Sequence, residues 1–402
     1  MPPRKTTTSA SAASKECDAA PLKNNIKKAG SQSNFCSVLV AVLAVGLPII
    51  NTVIFSGDPL ETMVPNLLLF TPFREEARSW WTSTVVHDTN VKREPMHLPI
   101  IDAKDYSFES LRVATENWRY PAVVRGLFLD TIAGDKWVQD GYLTSKIGRH
   151  ELPVVRNAIY GTLQNDRSVM KFKDAYEEIL GDDNSKLYLF FPVKSRFSFN
   201  HSELGAIEAL QDDVNKVVLE DLDLDRIWKG FGSKRTHSTF YGSQLIIGRG
   251  SNDSMATTGT GWHCAAGNNW FIQVVGGKRW FFMDPKYSKY MHPLRGGKVN
   301  MMTGNRNMGQ LQNHIPLRYV DLQAGDLLYN PDWEWHTIKN YEGLSIGVPI
   351  RELNVSLSLR NNLQYTSIVL VNKLLEKVKT ITGIDMEIGG YPPSGVKVVV
   401  DE

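Results

Sequence analysis

From Leu98 to Val348 the chain is cut into short apolar and aromatic runs, most of them flanked by Gly, Pro, Asn or Asp. PAVVRGLF (121–128), LYLFF (187–191), GSQLIIG (242–248), NWFIQVV (269–275), KRWFFM (278–283), DLLYN (326–330) and LSIGV (344–348) are the clearest. Runs this brief, rich in β-branched and aromatic side chains, suit strands rather than helices. Helical spacing of apolar residues shows instead in KFKDAYEEIL (171–180), within a more helical front half. Helices in front and strands clustered behind predict an α+β protein whose second half is a β-barrel or sandwich, not a series of alternating βαβ units.

Ahead of this lies a different texture. Residues 1–34 carry Arg4, Lys5, Lys15, Lys23, Lys27 and Lys28 among Ser, Thr, Ala and Asn, a composition that buries no core and predicts a disordered basic tail. No charged residue appears between Lys28 and Asp58, and residues 35–55 read FCSVLVAVLAVGLPIINTVIF. That is about the ~20 residues a helix needs to cross a bilayer, in which Pro48 is tolerated; the other reading is a buried core helix. Basic residues precede the run and Asp58 and Glu61 follow it, so the positive-inside rule predicts a single-pass type II anchor. A cleaved signal peptide fits less well, because the basic segment is long and no small-x-small site closes the run. Residues 56–94 read as a stem. The bulk of the chain is then expected in the lumen of the ER or Golgi, where the sequons at Asn200, Asn252 and Asn354 would accept glycans.

Composition narrows the function classes. The 45 Lys+Arg against 43 Asp+Glu leave a net charge of +2, which argues against a nucleic-acid partner. Three Cys, at 17, 36 and 264, are too few for a disulfide framework or a thiolate zinc site. The tail, within an extension over 356–402, has an amphipathic helical pattern at 364–384. Its Ile368, Leu370, Leu374, Leu375 and Val378 are suited to packing on the barrel or on a second copy in a homodimer.

The stretch 260–285, TGWHCAAGNNWFIQVVGGKRWFFMDP, carries the most chemistry. Read as one extended strand, it projects His263, Ala265, Asn269 and Gln273 to one side and Cys264 to the other. Gly276-Gly277 offers a two-residue hairpin that would return Lys278 toward that strand. Farther on, DLLYNPDWEWH places His336 just beyond another strand.

These spacings resemble the JmjC/cupin-like Fe(II)- and 2-oxoglutarate-dependent oxygenases, whose pattern is His-x-Asp/Glu followed by Asn, Gln, Gly and Lys at set offsets. His263, Asn269, Gln273, Gly276 and Lys278 occupy those places, with Thr260 three before the His. Gly325, Asp326, Pro331 and His336 match the distal motif, and LPIID (98–102) with PAVVRGL (121–127) resembles the opening segment. The resemblance implies a double-stranded β-helix of the jelly-roll type with flanking helices over residues 95–355. It implies iron on His263 and His336, and 2-oxoglutarate held by Lys278 with Thr260, Asn269 and Tyr188. Arg351 would be a second clamp, and molecular oxygen the co-substrate.

One position departs from the pattern. Ala265 stands where the family places its carboxylate ligand, and a methyl group ligates nothing. In iron/2-oxoglutarate halogenases the same position is Ala or Gly and chloride takes the vacancy, so the resemblance extends to a halogenase acting on an aliphatic C–H bond. The alternatives are a hydroxylase with another third ligand, from Asp253, Asp284, Asp332 or Glu334, or an inactive binding module. A membrane anchor favours a small-molecule or lipid substrate, and suits a secretory protein substrate as well.

Overall fold

The computed structural model describes residues 93–156, 167–183, 185–192, 216–229, 239–251, 257–291, 293–295, 300–303, 312–341 and 343–362, together with Tyr365, Thr366, Val369, Leu370 and Thr380. The basic tail, the apolar run at 35–55 and the stem to residue 92 lie outside the described residues, as do Asp253 and the sequons at Asn200 and Asn252. Among the described residues no helix is long and apolar enough to cross a membrane.

The strands are β1 (Met96–His97), β2 (Ile100–Asp102), β3 (Ala122–Arg125), β4 (Glu151–Val155), β5 (Arg167–Lys171), β6 (Tyr188–Pro192), β7 (Thr239–Gly250) and β8 (Gly259–Ala265). They continue as β9 (Asn268–Val275), β10 (Lys278–Met283), β11 (Pro293–Arg295), β12 (Asn300–Thr303), β13 (Arg318–Leu322), β14 (Leu327–Asn330), β15 (Trp335–Asn340) and β16 (Gly343–Leu353). Among the described residues they form a seven-stranded sheet, β1-β13-β10-β15-β8-β12-β11, and a nine-stranded sheet, β2-β3-β14-β9-β16-β7-β6-β4-β5. Apart from β1–β13 and β2–β3, the pairs are antiparallel.

Alternation along the strands sorts side chains into three layers. Between the sheets lie Tyr188, Ile246, Phe271, Trp280, Phe282, Val320, Leu322, Leu328 and Ile338. Behind the nine-stranded sheet, Trp270, Ile272, Val274, Leu327, Ile346 and Val348 pack against helices α1 (Phe108–Ala114), α2 (Ile132–Lys136), α3 (Tyr142–Ile147), α4 (Phe172–Gly181) and α5 (Asp225–Lys229). Behind the seven-stranded sheet, Trp262, Cys264, Met283 and Trp335 pack with Trp333, Tyr365 and Val369 near helix α6 (Val355–Asn361). Strand β9 is buried along its whole length because both of its faces are covered. Each large apolar side chain enclosed this way contributes about 1.5–3 kcal/mol.

Two sequence expectations need correction. The stretch from His263 to Gln273 is not one strand: it breaks at Ala266-Gly267, where Gly267 has φ +92, and β8 and β9 belong to different sheets. Gly276-Gly277 is likewise no hairpin. Strand β9 pairs with β14 and β16 whereas β10 pairs with β13 and β15, so the two glycines carry the chain across the barrel from one sheet to the other. Cys264 does point away from His263, into the outer cluster.

Left-handed backbone marks two further places. Glu116, Asn117 and Trp118 follow one another at φ 49, 61 and 68, each costing about 1–2 kcal/mol. The turn is held because the Thr115 carbonyl accepts from Arg119 N and Tyr120 N, both at 2.9 Å, while the Thr115 hydroxyl accepts from Trp118 N. Gly276 has φ +66, and a Cβ there would lie 2.1 Å from the Leu344 carbonyl oxygen.

Two glycines therefore separate backbone conformation from crowding. Gly343→Ala, at φ +87 with nothing within 4 Å of the added methyl, should cost about 1–2 kcal/mol for the left-handed conformation alone. Gly276→Ala adds a backbone collision and should cost about 2–5 kcal/mol in urea denaturation. Equal losses in the two variants would contradict this account of the corner.

Candidate functional site

The seven-stranded sheet lines up one inward-facing row. Arg318, Phe282, His336, His263 and Met302 are successive cross-strand partners on β13, β10, β15, β8 and β12. Partners directly opposite share a face, and Phe282 is part of the interior layer. The nine-stranded sheet answers with Asn330, Asn269 and Arg351 on β14, β9 and β16. Asn330 Nδ2 lies 3.4 Å from His336 Nδ1, so the two sheets approach each other closely at this level.

The His263 and His336 rings have centroids 4.2 Å apart at 57°, and Trp280 stacks on His336 at 5.3 Å. Each Nδ1 sits 2.8 Å from the backbone carbonyl two residues before it, Gly261 O for His263 and Glu334 O for His336. A carbonyl only accepts, so Nδ1 donates in both rings and each Nε2 keeps the lone pair a metal requires. Burial pushes the His263 pKa down to about 4, its carbonyl bond opposing and the Arg351 charge assisting. His336 is driven well below the usual range by burial, then by His263, with Arg351 again assisting. Both imidazoles are thus neutral at neutral pH, the ligating form.

Ala265 ends β8 opposite Asn300, and its carbonyl accepts from Trp333 N at 2.9 Å. No described group of three His, Cys, Asp or Glu is placed to hold a metal. Of the acids considered as third ligands, Asp253 lies outside the described residues and the other three have partners elsewhere. Asp332 accepts from Gly267 N and from the Ser358 hydroxyl. Asp284 accepts from Lys286 N at 3.0 Å, and enclosed Glu334 stands 3.9 Å from Arg318. The described residues offer two imidazoles and a gap.

Deeper in the barrel, Lys278 and Asn340 are cross-strand partners. Lys278 has no exposed surface; its Nζ donates to Asn340 Oδ1 at 2.5 Å and lies 3.5 Å from the Tyr188 hydroxyl. No carboxylate is within ion-pair distance of it among the described residues, and burial pushes its pKa down to about 7. Room for this row comes from Gly248, where a Cβ would fall 2.4 Å from the Tyr188 ring and 2.9 Å from Asn340 Nδ2.

Between the histidines and Lys278 sit polar atoms with nothing to bond. Thr260 Oγ1, Asn269 Oδ1, Trp280 Nε1 and Asn330 Oδ1 are buried without a hydrogen-bond partner. Each such atom costs about 1–3 kcal/mol, and they are few in native interiors. Thr260 is brought inward by a bulge: β8 spends three residues from His263 to Thr260 where β15 spends two from His336 to Ile338. The described site therefore gathers His263, His336, Thr260, Asn269, Arg351, Lys278 and Tyr188. Sequence reading missed Asn340, Asn330, Trp280 and Gly248. Counting by twos from His336 reaches Asn340, and that alternation was the available signal.

A barrel of two sheets with two neutral imidazoles facing its interior and a buried amine beneath them defines a cupin-like protein of the JmjC type. The chain matches the family model of the cupin-like domain over residues 113–350, more than half of its length, and belongs to that family. No curated relative matches it.

Lys278 sets a dependence of stability on pH. Its unfolded pKa is about 10.4 and its folded value about 7, so between these the unfolded chain binds more protons and stability rises with pH. Urea denaturation from pH 7 to 10 should show that rise, and Lys278→Met should flatten it. An unchanged slope in the variant would assign the dependence to another group.

Proposed function

We propose that the chain is an Fe(II)- and 2-oxoglutarate-dependent oxidoreductase acting on an aliphatic C–H bond, with chloride filling the coordination position that Ala265 leaves open: a halogenase. The observation that carries this reading is the charge around the histidines. In place of a carboxylate there is a methyl group, and the side-chain cation acting on both rings is Arg351. A divalent metal added here calls for anions, because uncompensated positive charge in a low-dielectric interior is unfavourable.

His263 and His336 would hold the iron through Nε2, their Nδ1 atoms fixed by the Gly261 and Glu334 carbonyls. Bound iron with 2-oxoglutarate and molecular oxygen supplies an oxidant able to take a hydrogen atom from an unactivated carbon. Lys278, supported by Asn340 and Tyr188, pairs with the far carboxylate of the 2-oxoacid, and regains its proton as the anion enters. Thr260, Asn269 and Asn330 present their orphaned atoms to the same ligand or its waters, while Trp280 keeps the His336 ring plane in place and excludes solvent. Arg351 offers a second cationic contact to the 2-oxoacid or to the halide.

The uncharged run at 35–55 supports the remainder of the proposal: a single-pass anchor, a catalytic domain in the ER or Golgi lumen, and a small-molecule or lipid substrate, with a secretory protein as the other class. Tyr365 and Val369 of the tail pack beneath Trp333 while Leu370 stays exposed, leaving an apolar edge for a homodimer.

Anaerobic titration of Fe(II) and 2-oxoglutarate into the full chain should develop the weak visible charge-transfer band of the chelate, stronger with chloride than with sulfate. Lys278→Ala should weaken 2-oxoglutarate about 100-fold or more, the loss expected when a buried ion pair is broken. Ala265→Asp should remove the chloride dependence. A band absent under all conditions would point to a binding module, and turnover indifferent to chloride would leave hydroxylation as the chemistry.

A further inference from the structure

A second cationic site stands at the edge of the same row, on residues the metal and 2-oxoacid do not use. The guanidinium of Arg318 lies 3.9 Å over the Tyr120 ring, and that of Arg119 lies 5.1 Å from the same ring. Two like charges gathered around one aromatic ring repel each other, the ring quadrupole offsets part of this, and an anion bound by both would offset the rest. The compensation they have in the described protein is weak: the Arg318 ion pair with Glu334 is long, at 3.9 Å and beyond hydrogen-bond reach, and Arg119 makes no ion pair among the described residues. Lys286 and Asp284 border the same region with their charges 3.8 Å apart. Three cations thus face two carboxylates, with each ion pair stretched.

The backbone independently points here. Arg119 and Tyr120 leave the left-handed turn at Glu116, Asn117 and Trp118, three consecutive strained residues that persist only because their surroundings hold them. Trp118 is wedged against Tyr329 and Trp270 at 5.5 and 6.4 Å, and the Thr115 carbonyl takes both following amides. Arg318 comes from the other sheet and is partly exposed, so the two guanidinium groups are delivered to one ring from separate, fixed elements. Such a pair is preorganised for a planar or tetrahedral oxyanion, which Arg forks bind bidentately.

We propose that Arg119, Tyr120 and Arg318 recognise an oxyanion headgroup of the substrate, a phosphate or carboxylate. Arg318 and His336 flank Phe282 in one row, two strand spacings apart, so the carbon to be attacked lies on the order of 10 Å from that headgroup. The distance to the reacting carbon rests on the function proposed above; the binding of the headgroup does not. The shared chemistry fits two sources, an acidic lipid in the membrane or a free anionic metabolite.

Calorimetric titration of the metal-free full chain tests the site with inorganic phosphate, dodecyl phosphate below its micelle concentration, and dodecyltrimethylammonium. Running the titrations in the wild-type and Lys278→Met chains sets aside the deep amine. Dodecyl phosphate should bind in both, more weakly as salt rises, and Arg318→Gln or Arg119→Gln should weaken it at least tenfold, with Arg318→Lys retaining part of the affinity. Tight binding of dodecyl phosphate with weak inorganic phosphate assigns the site to an amphiphile, and equal binding assigns it to a free anion. Arg119→Gln alters an exposed side chain and keeps the test valid if Arg318→Gln fails to fold. Dodecyl phosphate affinity unchanged in both glutamine variants, absent altogether, or matched by the cationic amphiphile overturns the proposal. The Fe(II) and 2-oxoglutarate titration on the same samples reports separately whether the metal reading stands.

Discussion

The pairing of β8 with β15 is the constraint on which the site depends, because it sets His263 directly opposite His336. Side chains alternate with a period of two, so a slip of one residue on either strand would turn one imidazole out of the barrel. The register is specified from both faces. Trp262, Cys264 and Trp335 are packed outside, so the odd-numbered histidine of β8 and the even-numbered one of β15 have only the interior left. The bulge beside this pair keeps the histidines opposed while turning Thr260 inward as well.

Among the described residues, this register encloses a space between the sheets that is short of negative charge. Lys278 is buried against neutral partners, Arg351 acts on both imidazoles, and the carboxylate that a two-His metal centre ordinarily includes is a methyl group. Burying a charge without a partner is among the more expensive things a fold can do, and leaving several polar atoms unpaired near it adds to that. A ligand bearing the missing charge and acceptors, as proposed above, would satisfy both. The outer layers supply the rigidity that makes this tolerable, through the helices behind one sheet and the Trp333, Trp335 and Tyr365 cluster behind the other.

Much of the site was legible beforehand because its residues sit at short, fixed offsets along the chain. The spacing from Thr260 to Lys278 and the placing of His336 after a strand identify the family. The corners were not legible. Gly267 looks like a residue within a long strand, and Gly276-Gly277 looks like a hairpin, yet both send the chain to the opposite sheet. Hairpin and crossover begin with the same glycines, and they differ in which distant strands wait to pair, here β13 and β15 for Lys278 to Met283. The gathering of Arg119, Tyr120 and Arg318 was invisible for the same reason, since residues nearly two hundred positions apart in the chain meet on one ring.

By itself the amino-acid sequence determined most of the strand segments, singled out His263, His336 and Lys278 as candidates, and showed that the carboxylate is missing at position 265, since these follow from local pattern and residue type. Only the tertiary structure decided that, among the described residues, His263 and His336 face each other with Nε2 free, Lys278 lacks a counter-ion, and polar atoms between them are unpaired. Those properties depend on strand register and on the absence of neighbours, and a linear pattern encodes neither until the two sheets close.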